Sequence, residues 1–235
     1  MSAGVLHLLC AGAVQGLVGR LQAGFETATG ARLQGRYGAV GALREALVGG
    51  APCDVMVATA AMLSDLQAQG HLPAGAVLPI GRVRTGVAVR SGEPRPDITS
   101  REALKAAWLA APALYFPDPL RATAGLHVAS VIERLGIREA MAARIRNFPN
   151  GAASMRALAD EGLHFALGCT QASEILATSG VDWVGPLAGE FELATTYAVA
   201  LGPQGAQGSA ARRLVEQLSA ADGAVLRARC GIEAA

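Results

Sequence analysis

The sequence of 235 residues has little lysine, few aromatic residues and no long hydrophobic run. Lys105 is the one lysine among 20 basic residues, and no G-x-x-x-x-G-K-[ST] motif occurs, which argues against a P-loop and against Schiff-base chemistry. Aromatic residues make up 4% of the chain, too few for a platform that stacks bases or sugars. We therefore expect anions to be bound by arginine, by helix N-termini or by hydroxyl groups.

Charge and hydropathy exclude further classes of protein. Charged residues are 17% of the chain, the net charge is +1 and the mean hydropathy is +0.33, which disfavours both intrinsic disorder and electrostatic binding of nucleic acid. The apolar runs are shorter than the roughly 18 residues that a membrane helix needs, so we expect no stable membrane insertion. The first residues lack the basic stretch of an export signal. The expected location is cytoplasmic for the chain as given, or periplasmic if a signal peptide was removed.

Cysteine and histidine are too scattered to indicate a disulfide framework or a metal centre. The cysteines are far apart and form no C-x-x-C motif, so we expect buried thiols. They are Cys10, Cys53, Cys169 and Cys230. The histidines have neither the spacing nor the acidic neighbours of metal ligands, and we expect no metal and no cofactor.

Short apolar segments alternate with segments of helical apolar spacing. Residues 5–10 predict a strand and residues 14–29 a helix that Gly30 closes, and the same order recurs at 32–69 and 113–184. This rhythm predicts an α/β fold with mostly parallel sheets flanked by helices. A strand is expected at 165–168 with a turn at 168–171, and the last helix at 208–218. Strands near 83–89 and 192–200 suggest two lobes, 1–82 plus 197–235 and 83–196.

Turns rich in small residues follow most of the predicted strands. In open parallel sheets, anions collect at such turns because the following helices present unpaired N–H groups and a partial positive charge. A tight strand-to-helix turn explains any single one of them equally well, so their number is what points to anion binding. The turns are residues 10–13, 38–41, 58–60, 119–125, 150–152 and 168–171.

Several segments of the sequence together resemble the molybdate-binding type of periplasmic solute-binding protein, and the resemblance extends over nearly the whole chain. They include LCAGAV at 9–14, FETATG at 25–30, YGAVGAL at 37–43, GGAPCDV at 49–55 and GCTQASEI at 168–175. The resemblance implies a type II periplasmic-binding-protein fold, in which two hinge strands join two lobes that close on a ligand in the cleft between them. It also implies a small-molecule anion as ligand and, if the protein is exported, an ABC transporter permease as partner.

The sequence departs from this family where molybdate would be held. The family places serine hydroxyls in the first two turns, but Ala13 and Val40 stand there, and no tyrosine occurs near Cys169. Each lost hydroxyl contact to a small oxyanion costs on the order of 1–3 kcal/mol, which disfavours molybdate and tungstate. A roomier, more apolar site favours an organic acid. The expected ligand contacts are Gly12, Ala13, Ala39, Val40, Thr59, Arg121, Thr123, Thr170 and Gln171.

Among these expected contacts, Arg121 has the most specific predicted role. Its guanidinium is suited to bind a carboxylate through two hydrogen bonds. A surface ion pair with Asp118, three residues before it, is an equally good interpretation.

Three functions fit the resemblance. Two belong to different classes of function, and the third is the uptake of molybdate or tungstate. The first is binding of a small organic anion. The second is isomerisation, because relatives of the molybdate-binding type include aconitate isomerases, which interconvert cis and trans tricarboxylic acids by moving an allylic proton. That reaction needs a general acid or base. The groups available are His127, Cys169, Asp118 and Glu174, but they form no catalytic arrangement in the sequence, and the catalytic residues stay unassigned.

Overall fold

The computed structural model describes residues 4–235. Its strands are β1 (Val5–Ala11), β2 (Arg32–Gly38), β3 (Val55–Thr59), β4 (Leu78–Arg90), β5 (Leu114–Pro117), β6 (Ile145–Phe148), β7 (Leu167–Gln171), β8 (Val181–Pro186) and β9 (Ala194–Leu201). Its α-helices are α1 (Gly12–Thr29), α2 (Val40–Val48), α3 (Ala60–Ala68), α4 (Arg101–Ala110), α5 (Thr123–Arg134), α6 (Arg138–Met141), α7 (Gly151–Asp160), α8 (Ala172–Leu176), α9 (Ser209–Ser219) and α10 (Ala224–Arg229).

The chain divides into two compact units. Unit 1 consists of the described residues up to Arg82 together with Thr196–Ala235, and unit 2 consists of Val83–Thr195. The chain passes between them within two strands, since β4 begins in unit 1 and ends in unit 2, and β9 does the reverse.

Unit 1 is built on a sheet with the strand order β2-β1-β3-β9. β1 is parallel to both β2 and β3, while β9 runs antiparallel to β3. In α1, the buried residues Val14, Leu17 and Phe25 recur at helical spacing and give the helix one apolar face. The helix ends at Gly30, whose φ of 68° is readily adopted only by glycine, and the Gly30 N–H bonds the Glu26 carbonyl.

Unit 2 is built on a sheet in which β5 is parallel to β6 and β7, and β4 is antiparallel to β7 and β8. Successive residues of a strand face opposite sides, and β5 shows this directly. Phe116 packs in a core with Trp108 of α4, whereas Tyr115 packs in a second core with Met155 of α7. Helices therefore cover both faces of the sheet, as the predicted α/β fold requires.

The mixed α/β fold is confirmed, but two details of the prediction are wrong: the position of β7 and the identity of the last helix. The predicted turn at 168–171 belongs to β7, which continues to pair with β4 up to Thr85 opposite Gln171. The small residue that suggested a turn lies in a closely packed part of the strand, because a Cβ on Gly168 would lie 2.5 Å from the Met155 methyl group. The helix predicted to be last, Ser209–Ser219 in the structure, is followed by α10.

The cysteines are free and buried, which confirms their prediction as buried thiols. Within residues 4–235, none of the helices has the length and apolar character needed to cross a lipid bilayer.

Candidate functional site

At one edge of the sheet of unit 1, parallel strands end and a helix begins after each. β1 leads into α1 at Gly12, β2 into α2 at Val40 and β3 into α3 at Ala60. Because these strands are parallel, their carboxyl ends meet at the same edge, which we call the unit 1 edge. The structure therefore brings together five of the predicted contacts: Gly12, Ala13, Ala39, Val40 and Thr59.

The helix N-termini at the unit 1 edge differ in how their N–H groups are used. Thr59 caps α3, because its hydroxyl oxygen accepts a hydrogen bond from the Met62 N–H at 3.3 Å. α1 and α2 follow Ala11 and Ala39, which have no polar side-chain atom, and no side chain caps either helix. Uncapped N–H groups in the first turn of a helix carry partial positive charge. The backbone N–H groups of α1 and α2 can therefore donate hydrogen bonds to an anion.

The side chains in the first turns of α1 and α2 add apolar surface to this edge. Ala13 and Val40 are both more than nine-tenths buried and offer neither a donor nor an acceptor. The unit 1 edge thus combines backbone donors with apolar walls.

Unit 2 has a corresponding edge, where the parallel strands β5 and β7 end; we call it the unit 2 edge. Thr170 and Gln171 are the last residues of β7. After β5, Arg121 lies in the loop before α5, and Thr123 is the first residue of that helix. The structure therefore brings the four predicted contacts of this unit to one edge of its own sheet.

The loop that carries Arg121 is held by its neighbours. Asp118 accepts a hydrogen bond from the backbone N–H of Leu120 through Oδ1 at 2.7 Å, which closes a turn. Gly125 of α5 packs so closely on this turn that a Cβ would lie 2.1 Å from the Asp118 carbonyl oxygen. Arg121 itself is exposed. Its side chain is thus carried by an ordered turn next to the N-terminus of α5.

A buried carboxylate, Glu174, occupies the N-terminus of α7. Its Oε2 accepts a hydrogen bond from the Thr170 hydroxyl, with 2.7 Å between the two oxygen atoms. The carboxylate also accepts hydrogen bonds from the backbone N–H groups of Gly151, Ala152 and Gln171. Burial raises the pKa of Glu174, and these hydrogen bonds oppose the rise. Gly151 permits the contact, because a Cβ there would lie 1.9 Å from Oε2. The sequence suggested Glu174 only as an acid–base group and gave no sign of this anchoring role.

This contact bears on the prediction for Thr170. The Thr170 hydroxyl donates its hydrogen to Glu174, so only its lone pairs are left for another partner. Since an anion needs donors, Gln171 is the better-suited of the two residues.

Gln171 belongs to a group of buried polar side chains without partners. It is 2% exposed, and neither atom of its amide is hydrogen-bonded within residues 4–235. Thr85 stands opposite Gln171 in the register of β4 and β7, so both side chains lie on the same face of the sheet. The hydroxyls of Thr85, Ser173 and Thr195 also have no partner in that part of the chain. Buried polar groups in proteins are nearly always hydrogen-bonded. These unpartnered donors and acceptors can therefore form hydrogen bonds with a polar ligand. Thr85 and Thr195 have the pattern of ordinary strand residues, which is why the sequence did not single them out.

The other acid–base candidates have structural contacts. The Nε2 atom of His127 lies 2.8 Å from the Phe191 carbonyl oxygen, the distance of a hydrogen bond that ties α5 to the chain after β8. Cys169 is fully buried in β7, and this burial raises the pKa of its thiol far above the ordinary value.

Known proteins similar to this chain include one enzyme and several binding proteins. The chain is 27% identical to an aconitate isomerase of Pseudomonas sp over 225 residues, 93% of this chain and 84% of that protein. Among solved structures, it is similar to the periplasmic molybdate-binding protein of Azotobacter vinelandii, with a TM-score of 0.77, 17% identity and coverage of 97% of this chain and 98% of that one. The sulfate-binding protein of Mycobacterium tuberculosis H37Rv gives a TM-score of 0.71 and 16% identity, covering 97% and 86% of the two chains.

At these identities the solved structures show the fold, and they confirm the type II periplasmic solute-binding fold expected from the resemblance. The family model described as bacterial extracellular solute-binding protein matches residues 6–231, nearly the whole chain. The chain therefore belongs to the family of bacterial extracellular solute-binding proteins.

Proposed function

We propose that the protein binds a small organic anion, a di- or tricarboxylate. The observation that carries the proposal is the pair of uncapped helix N-termini at the unit 1 edge, flanked by Ala13 and Val40. Backbone N–H groups are well placed to bind a carboxylate, whereas the methyl groups beside them suit a carbon skeleton.

The same observation speaks against molybdate, which the Azotobacter vinelandii protein binds according to its name. A tetrahedral oxyanion presents lone pairs in every direction and has no apolar part. The first turns of α1 and α2 supply no hydroxyl, and each oxyanion lone pair that is left unsatisfied in a dry site costs about 1–3 kcal/mol.

The unit 2 edge supports an organic acid through different groups. Arg121 carries a guanidinium, which pairs with carboxylates in a bidentate geometry. The Gln171 amide offers both a donor and an acceptor, so it is suited to a carboxylate on one side and a hydroxyl or protonated carboxyl group on the other. Variants at each edge test separately whether that edge contributes to binding.

Mass spectrometry of molecules released from the purified, denatured protein tests the proposal. We expect a di- or tricarboxylate in near-stoichiometric amount. Stoichiometric molybdenum or tungsten in the same sample, measured by plasma mass spectrometry, would reject the proposal in favour of oxyanion uptake.

A second candidate function, isomerisation of an unsaturated tricarboxylate, is favoured by the similarity to the aconitate isomerase. Such a reaction removes an allylic proton, shifts the double bond and returns a proton to a different carbon, so it needs an acid–base group in contact with the substrate. Each of the four groups considered from the sequence already has a structural role: Cys169 is buried, His127 meets the Phe191 carbonyl, Asp118 closes a turn and Glu174 anchors α7. This favours binding over catalysis.

Proton NMR separates the two functions. cis- and trans-Aconitate are incubated in D₂O with the protein in excess. Interconversion, or exchange of the methylene protons with solvent, would establish the isomerase. Unchanged spectra would exclude this substrate.

The family is one of extracellular proteins, and for an exported form we propose an ABC transporter permease as partner. Reconstituted transport of the bound acid, with and without the protein, tests this role. No stimulation by the protein would argue against it.

A further inference from the structure

Unit 2 contains an apolar pocket of about 700 Å³ at the opposite end of β7 from the unit 2 edge. It reaches Leu167, the first residue of β7, whereas Gln171 is the last. One wall is formed by Ala107 and Ala110 of α4 and by Ala111, which follows the helix, and prolines from two loops complete it. The volume lies within the roughly 300–1,000 Å³ typical of small-molecule sites.

The rim of the pocket includes an aromatic residue with a strained backbone. Phe165 has a φ of 61° and, within residues 4–235, is the one residue other than glycine with a positive φ. Its side chain is 62% exposed, and Leu163 beside it is also exposed. The left-handed region is unfavourable for a residue with a side chain, and strained residues cluster at binding sites, where the surrounding structure holds them. Phe165 thus places an exposed apolar ring at the rim of an apolar pocket.

Hydrogen bonds connect the loop that carries Phe165 to the end of β4. Glu93, just after β4, accepts hydrogen bonds through Oε1 from Arg90 at 2.8 Å and from His164 at 2.7 Å. These contacts tie residue 164 to the end of β4. They also hold the pKa of Glu93 below its ordinary value, so this carboxylate is ionised and already paired at neutral pH. The rim is therefore formed before any ligand binds.

Arg95 is a positively charged residue that lines the pocket and, unlike Arg90, is not paired with a carboxylate of residues 4–235. Arg95 is exposed, and it has no hydrogen bond or ion pair with any other residue of the described chain. It lies between Pro94 and Pro96, whose rings restrict the backbone on both sides. A guanidinium beside apolar walls matches a ligand with a carboxylate head and an apolar body.

We propose that this pocket binds an amphipathic monocarboxylate. The apolar ring or chain lies between α4 and the loop of Phe165, and the carboxylate pairs with Arg95. This site is separate from both edges described above, so it does not depend on the identity of the acid proposed to bind there.

The test uses 2-naphthoate and its neutral counterpart 2-naphthamide as probes, titrated into ¹⁵N-labelled full-length protein. We expect chemical-shift changes centred on residues 107–111 and 162–167, and binding of the naphthoate about tenfold tighter than binding of the amide. Arg95→Gln should abolish this preference without weakening the amide. The matched control Arg156→Gln, which removes an exposed arginine of α7 outside the pocket, should preserve it.

A second variant tests the apolar walls. Ala110→Trp introduces bulk from an exposed position of α4 and should weaken both probes about equally while leaving the melting temperature nearly unchanged. Equal affinity for the two probes, an unaltered preference in Arg95→Gln, or shifts confined to the unit 1 and unit 2 edges would overturn the proposal. So would self-association of the protein that shifts the same resonances without a probe, because the occupant would then be a second copy of the chain.

Discussion

The two edges that carry the predicted ligand contacts differ in the source of their polar groups. At the unit 1 edge, the donors are backbone N–H groups of α1 and α2, and the nearby side chains, Ala13 and Val40, are apolar. At the unit 2 edge, side chains such as Gln171 provide the polar groups, and the N-terminus of α7 is already occupied by Glu174. Backbone donors persist whatever the side chain, so we expect substitutions at the unit 1 edge to act through its apolar side chains and substitutions at the unit 2 edge to act through its polar ones.

The largest expected effect comes from Gly151→Ala, which tests whether Glu174 anchors the unit 2 edge. The added methyl group would lie 1.9 Å from Oε2 of Glu174 and 2.1 Å from Oγ1 of Thr170, so the buried carboxylate would lose its donors. We expect the free energy of unfolding to fall by about 3–5 kcal/mol in urea denaturation. Gly185→Ala is the control, because a Cβ there meets nothing closer than 3.7 Å. Equal losses in the two variants would contradict the anchoring role.

Arg121→Ala compares the contributions of the two edges to affinity. If the guanidinium binds a carboxylate, its removal should weaken binding of the organic acid by about 2–4 kcal/mol, roughly 30- to 1,000-fold, in calorimetry. The free energy of unfolding should change by less than about 1 kcal/mol, because the residue is exposed. Arg156→Ala serves as the control for loss of a positive charge. Unchanged affinity would assign Arg121 to the surface and leave Thr123, Gln171 and the backbone amides as the contacts.

Glu174→Gln tests the raised pKa of the buried carboxyl. A carboxyl whose pKa is higher in the folded state favours folding most below its ordinary value of 4.5, and this contribution is lost as the pH rises through the raised pKa. Glutamine does not titrate. We therefore expect the variant to be less stable by about 1–3 kcal/mol at pH 4, with the difference narrowing as the pH rises above 4.5. Glu139→Gln, at an exposed position of α6, is the control. A difference that is constant or grows with pH contradicts the assigned direction.

The smallest expected effect comes from Val40→Ser, which gives the unit 1 edge a hydroxyl. The loss of apolar contact should weaken binding of the organic acid by about 1 kcal/mol, roughly fivefold, while any molybdate affinity should rise. Val40→Ala separates the lost contact from the added hydroxyl. An increase in affinity for the organic acid would show that the site prefers a hydroxyl over apolar surface.

The sequence was sufficient to predict the fold because the alternation of strand and helix patterns is local. It also placed turns of small residues after the strands, and the structure puts several of them at the carboxyl ends of parallel strands. It failed at β7, where Gly168 suggests a turn but lies within the strand and packs closely against Met155. It also missed the role of Glu174, whose partners include the backbone of Gly151 and Ala152 at the start of α7. Contacts between residues distant in the chain leave no periodic signal, and the same holds for the pocket beside Arg95.

Parallel calorimetric titrations with trans-aconitate, tricarballylate and molybdate test whether the protein prefers an organic acid to an oxyanion. We expect micromolar or tighter binding of at least one of the tricarboxylates and little heat with molybdate, because the helix N-termini at the unit 1 edge are flanked by Ala13 and Val40 rather than by hydroxyls. Micromolar binding of molybdate without binding of either tricarboxylate would contradict this preference.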